Sequence, residues 1–98
     1  MDAETRFPTG TIIATQRAGD ALVQAGIAGL QLVDRHVRGD WGDISPEGRE
    51  ENDRARRGAG RIISSYTLST GVRLWVLTEG DRSATTILLP EEYPLDQV

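Results

Sequence analysis

The sequence contains no cysteine and no lysine. Without cysteine there is no disulfide, no thiolate nucleophile and no cysteine-ligated metal, and a reducing cytoplasm is the expected home. Without lysine, all 11 cations are arginines, and each can make planar, bidentate contacts. They are outnumbered by 15 carboxylates, giving a formal net charge of −4, which argues against broad binding to a nucleic-acid backbone. Long apolar runs are also missing, so no stretch reaches the length needed to span a bilayer. The acidic opening, MDAETRFPTG, lacks the apolar centre of a signal peptide.

What is present is ordinary globular material. The chain has 98 residues, 38% hydrophobic and 27% charged, which suits a single folded domain. We expect one domain over residues 1–98, with an ordered core over 10–93 and frayed ends. A domain this small has one modest core and room for a shallow site, so no cofactor is assigned. There is no internal repeat and no low-complexity segment.

The local patterns place helices before strands. Thr11 to Ala14 is a short apolar strand, and Thr15 then suits a helix N-cap. Ala18, Ala21, Leu22 and Ala25 recur at helical spacing up to Gly26, with Gly19 weakening the helix. A second helix is expected over about 28–38, with Leu30, Val33 and Val37 on one face, Leu32 widening it and Gly39 just past its end. Ser45, Pro46 and Glu47 open a third helix, closed by Arg54, Arg56 and Arg57. Glu50 with Arg54, and Asp53 with Arg57, have the spacing of helical ion pairs. Ala55 is nearly its only apolar residue, so this helix should lie on the surface, held mainly at its ends.

The second half reads as strands. RIISSYTL alternates, placing Ile62, Ser64, Tyr66 and Leu68 on one face, and STG turns the chain. VRLWVLTE places Val72, Leu74 and Val76 on one side and Arg73, Trp75, Leu77 and Glu79 on the other. GDRS turns again, and ATTILLP is a last strand stopped by Pro90. The expected fold is α+β: three N-terminal helices on a C-terminal antiparallel meander of three strands, with Thr11–Ala14 able to join as a fourth at an edge. Because the middle strand is apolar on both sides, its second face is either covered or presented to a partner, and a homodimer is compatible with it.

The elements RHVRGDWGD and RIISSYTLSTGVRLWVLTEGDRSATTILLPEEY, with the asparagine of the helix between them, resemble a family of short proteins carried on bacterial plasmids, integrative elements and phages. Its members are labelled plasmid-related, or as subunits of type I restriction–modification systems, and no mechanism is attached to them. The resemblance covers about Gly10 to Tyr93. It rests on Arg35, His36, Gly39, Asp40, Trp41 and Gly42, and on Trp75, Thr78, Glu79, Asp81, Arg82, Ser83, Thr85, Thr86 and Tyr93; Gly80 stands where the pattern has alanine. It implies a role on a mobile genetic element.

Two segments carry candidate chemistry. In DRHVRGDWGD, Asp34 to Asp43, the only histidine stands near a tryptophan between two glycines. His36 could be an acid/base or a ligand with Asp40 nearby, or could border the core and bond near the helix end, with Trp41 folded over that end. His36, Asp40 and Asp43 lack a recognised metal-ligand spacing, so no metal is assigned. In TEGDRS, Asp81 could cap the turn while Arg82 pairs with Glu79. Alternatively Arg82, with Arg73 and Arg61, could clamp a phosphate or a partner carboxylate.

Two functions follow. One is a non-enzymatic protein-binding module whose surface combines His36, Asp40, Trp41, Asn52, Glu79, Asp81 and Arg82. It acts on a host defence or nucleic-acid-processing protein in the cytoplasm. That surface requires the loop after the second helix to fold against the last turn. The other is a small ribonuclease, similar in layout to barnase- and RelE-type enzymes, with Glu79 or His36 as base and Arg73 and Arg82 on the phosphate.

Overall fold

The computed structural model describes residues 7–94. In chain order it contains β1 (Thr11–Ala14), α1 (Gln16–Ala25), α2 (Gly29–Val37), α3 (Pro46–Arg56), β2 (Ile62–Thr67), β3 (Arg73–Thr78) and β4 (Ala84–Leu88), then a short 3-10 turn at Pro90–Glu92. The helix ends follow the local chemistry. The Thr15 hydroxyl accepts the Ala18 N–H at 3.1 Å, the Ser45 hydroxyl accepts the Gly48 N–H at 3.0 Å, and the Gln31 side chain accepts the Ala28 N–H at 3.0 Å. Each such cap contributes about 1 kcal/mol. Gly26 closes α1 in the left-handed conformation, where a side chain would be strained.

The sheet order is β1-β4-β3-β2. The meander of β2, β3 and β4 is antiparallel as expected, but β1 lies parallel to β4, so the sheet is mixed. Nor are the helices N-terminal to every strand, since β1 precedes all three. The reason is connectivity: three helices and two strands separate β1 from β4, so no hairpin dictates its direction. Gly10 permits the close approach. Its φ is +63°, and a Cβ there would fall 2.2 Å from the Ser83 carbonyl oxygen.

The register sets Ile62 opposite Thr78, Ser64 opposite Val76 and Tyr66 opposite Leu74, confirming the alternation. These residues face the helices, and most of the apolar ones form a core with Leu22, Leu32, Val33 and Ile87. Burying such side chains contributes about 1.5–3 kcal/mol each. Leu30, expected on the inward stripe of α2, is 65% exposed; Leu32, Val33 and His36 are the buried residues of that helix. A second core cluster joins Phe7, Trp41, Ala55 and Ile62, so the packed region begins before residue 10.

On the other face of the sheet, Leu77, Thr86 and Leu88 are buried and Trp75 is half-buried. The C-terminal segment does part of the covering: the Tyr93 ring lies 5.8 Å from that of Trp75. That segment is tied down. One Glu92 carboxylate oxygen accepts from the Thr15 hydroxyl at 2.8 Å and from the Leu89 N–H at 2.9 Å, and Glu91 meets Arg17 at 2.9 Å. Of the ends expected to fray outside 10–93, Phe7 packs into the second core cluster, and residues 1–6 and 95–98 lie outside the described residues. No helix among the described residues is long and apolar enough to cross a membrane.

Candidate functional site

His36 is 0% exposed. It projects from α2 onto the sheet, where its Nδ1 lies 2.6 Å from the Ser64 hydroxyl and its Nε2 lies 2.9 Å from the Thr78 hydroxyl. Thr78 contacts the Thr85 hydroxyl at 2.7 Å, and Thr85 donates to the Thr9 carbonyl at 2.8 Å. That last acceptor carries no proton, which fixes the direction of the chain. Thr85 uses its proton on Thr9, so Thr78 donates to Thr85. Nε2–H then donates to Thr78, and in the neutral ring that burial favours, Nδ1 accepts from Ser64. The chain thus puts a proton on Nε2, Nδ1 meets the Ser64 hydroxyl, and both nitrogens are satisfied. Burial and the nearby Arg82 cation push its pKa down to about 3. Phe7 and Trp41 close over the ring edge-on, at 5.2 Å and 5.9 Å between ring centres.

Trp41 and Asn52 are also buried, and both help seal the outer edge of β2. Asn52 projects from the middle of α3 and clamps one residue of the strand: its amide donates to the Ile63 carbonyl at 2.8 Å and accepts the Ile63 N–H at 3.2 Å. The Trp41 carbonyl accepts the Ser65 N–H at 3.0 Å, and the Asp43 N–H donates to the Ser65 carbonyl at 2.8 Å. Gly42 lies against the strand so closely that a Cβ would sit 2.0 Å from the Ser65 carbonyl oxygen. The Trp41 indole donates to Asp53 at 3.2 Å, and Arg56 stacks over its ring at 5.5 Å. α3 is thus held at its middle by Asn52 and Ala55, not mainly at its ends. Asp53, expected to pair with Arg57, meets Arg56 at 3.8 Å.

Arg82 does not pair with the Glu79 carboxylate. Its guanidinium donates to the carbonyls of Gly60 and Ala55 at 2.7 Å each, and more loosely to those of Glu79 and Gly80. It lies over the Phe7 ring at 5.7 Å. It therefore binds the end of α3 and the following loop to the last hairpin, and its backbone adopts a left-handed φ of +63° to do so. Asp81 caps the turn as expected, accepting the Ser83 N–H at 3.0 Å, and that bond lowers its pKa.

The tryptophan loop and the last hairpin bend do meet, but through Phe7 and inside the core. The surface anticipated from His36, Asp40, Trp41, Asn52, Glu79, Asp81 and Arg82 is therefore not a single exposed patch. His36, Trp41 and Asn52 are buried, and Arg82 is occupied by carbonyls. Asp40 stays at the surface, paired with Arg35 at 2.7 Å, which lowers its pKa; its carbonyl accepts the Tyr66 hydroxyl at 2.6 Å. Glu79 follows Thr78 on the strand and so falls on the opposite face, where it meets Arg61 at 3.9 Å. The ribonuclease set is split in the same way: His36 and Arg82 lie on the helix side, and Glu79 on the other, while Arg73 is exposed near the far end of β3.

Two groupings were not expected from the sequence, although Arg61, Ser64, Trp75, Thr78, Thr85 and Tyr93 are each named above. Ser64, Thr78 and Thr85 are hydroxyls at positions whose strand alternation points inward, and they gather around His36. Arg61, Trp75 and Tyr93 come together on the second sheet face: Arg61 lies over the Tyr93 ring at 5.7 Å and donates to its hydroxyl. Comparison with family models, curated proteins and solved structures found no match.

Proposed function

We propose that this chain is a small, non-enzymatic protein-binding module of a mobile genetic element, working in the cytoplasm. One observation carries the choice of binding over catalysis: His36 and Arg82, the residues best suited to acid/base and phosphate chemistry, already have their hydrogen-bonding groups engaged inside the fold. A buried imidazole with both nitrogens bonded to hydroxyls cannot reach a substrate. The mobile-element setting, and a host defence or nucleic-acid-processing protein as partner, rest on the family resemblance.

The working surface is the cluster of Trp75, Tyr93, Arg61 and Glu79 on the second sheet face, with Arg73 on the same strand. Trp, Tyr and Arg are the residue types enriched at interface hot spots, because each combines a large apolar body with a polar tip. Trp75 and Tyr93 are half-buried, so each still offers surface to a partner.

The test uses the whole chain as bait beside its Arg61→Ala and Trp75→Ala variants, together with an RNA-cleavage assay. The expected result is a stoichiometric partner held by the wild type and released by both variants, with no RNA cleavage. RNA cleavage that disappears in Glu79→Ala or Arg73→Ala would overturn the proposal in favour of the ribonuclease.

A further inference from the structure

The two edges of the sheet are treated in opposite ways. The outer edge of β2 is sealed by Asn52 and by the backbone of Trp41 and Asp43. Among the described residues, the outer edge of β1 has no neighbouring strand. The N–H groups of Thr11 and Thr15 point to β4, bonding Ser83 and Ile87 at 3.1 Å and 3.0 Å. Strand alternation then turns the backbone N–H and C=O of Ile12 and Ala14 away from β4. All four residues of β1 are exposed, and Ile12 and Ile13 are 43% and 46% exposed, one on each face of the sheet.

Natural edge strands are protected by shortness, charge, proline, a bulge or a cover. β1 is short, at four residues, but among the described residues it has no bulge and no covering strand, and from Thr9 to Gln16 there is no charged residue and no proline. A second copy of the chain is the occupant that fits. A molecule of net charge −4 repels itself over most of its surface, but not along this stretch. The edge is also self-complementary. In an antiparallel pair centred on Ile13, the outward groups of Ile12 meet those of Ala14 from the partner, and the reverse, making four backbone hydrogen bonds about a two-fold axis. Ile13 then faces its own copy at the axis, in the close, non-hydrogen-bonded position where side chains touch.

We infer that two copies of this chain join through β1 in antiparallel register, with Ile13 against Ile13, making one continuous eight-stranded sheet. The inference is independent of the partner surface proposed above, which lies around Trp75 and Tyr93. Four strand residues a side bury less than the roughly 800 Å² per partner of a standard interface, so the dimer is weak and concentration-dependent.

Sedimentation of the whole chain over a range of concentrations tests this, beside Ile13→Lys and Ala14→Pro. The lysine places two like charges at the axis, and the proline removes an outward N–H without touching the β1–β4 ladder. The wild-type mass should rise toward twice the monomer mass with concentration. Both variants should stay at monomer mass with unchanged far-UV circular dichroism, while the exposed-site control Val23→Lys behaves as wild type. Because the native chain has no cysteine, Ile13→Cys supplies a second test. Directly opposed Cα atoms in such a pair lie about 4.5 Å apart, within disulfide range. Mild oxidation should give a disulfide dimer of Ile13→Cys, and far less of Val23→Cys. A wild type that stays monomeric at millimolar concentration, or a dimer that survives both Ile13→Lys and Ala14→Pro, would overturn the inference.

Discussion

His36 donates its Nε2 proton to the hydroxyl of Thr78, 2.9 Å away, and this bond joins α2 to the middle strand of the sheet. It is one link in a five-membered chain from Ser64 to the Thr9 carbonyl, in which the carbonyl fixes the direction of the protons from Thr85 back to Nε2. The only histidine in the sequence is therefore a structural tie that works in its neutral form.

Stability should depend on that neutrality. The unfolded chain takes a proton on His36 below about pH 6.5, whereas the folded protein resists it until about pH 3. The contribution is thus complete above pH 6.5 and is lost as pH falls toward 3, at up to about 1.4 kcal/mol per pH unit. Asp40 and Asp81, whose pKa values are lowered, lose their contributions only near and below their ordinary carboxylate range, so pH 6.5 to 4.5 isolates the histidine. Urea midpoints should fall across that window in the wild type. His36→Phe should cost about 2 kcal/mol at pH 7, from the buried Ser64 hydroxyl left without an acceptor, and should show a flat profile. Parallel profiles for the two proteins would contradict this.

Asn52→Ala removes both bonds to the backbone of Ile63 at the sealed edge of β2. Two buried backbone groups lose their partners, so the expected cost is about 2–4 kcal/mol. Hydrogen exchange locates the effect: the Ile63 amide should exchange faster relative to the amides of β3 than it does in the wild type. Asn52→Asp should not rescue it, because a carboxylate can accept from the Ile63 N–H but cannot donate to its carbonyl.

How much of this was legible in the sequence varied with the range of the interactions. Caps at Thr15 and Ser45, the stop at Gly26 and the alternation of β2 and β3 are decided within a few residues, and the structure bears them out. The parallel placement of β1 depends on a partner more than 70 residues away, and nothing local encodes it. Leu30 illustrates the limit of periodicity: it repeats with Val33 and Val37, yet the inward stripe of α2 is centred on Leu32, Val33 and His36, which leaves Leu30 at its margin. The candidate site misled for a chemical reason. Histidine, tryptophan, asparagine and arginine offer directional polar groups to a ligand, but they offer the same groups to a buried backbone, and sequence alone does not distinguish the recipient.

Two glycines should respond in opposite ways to alanine. At Gly19 in α1 a Cβ meets nothing within 4 Å, so Gly19→Ala should stabilise the protein by about 0.5–1 kcal/mol. At Gly42 the φ of +74° and the Ser65 carbonyl leave no room, so Gly42→Ala should destabilise it by about 3 kcal/mol or more. Thermal unfolding followed by circular dichroism separates them by the sign of the change in Tm.

Arg82→Lys keeps the charge but loses the planar fork that reaches the Gly60 and Ala55 carbonyls together. It should cost about 1–3 kcal/mol, since one carbonyl of the pair is left without its charged donor. Arg82→Gln removes the cation that helps depress the His36 pKa, so the histidine should titrate at higher pH in that variant. A His36 titration unmoved by Arg82→Gln would show that burial alone sets it.

The most direct measurement is an NMR titration of the imidazole nitrogens of His36 in the folded protein. A neutral ring protonated on Nε2, unchanged from pH 8 down to the acid unfolding transition, is the expected result. A ring that titrates near pH 6.5, or one protonated on Nδ1, would show that the chain from Ser64 to Thr9 is not formed as described and that His36 is free for other chemistry.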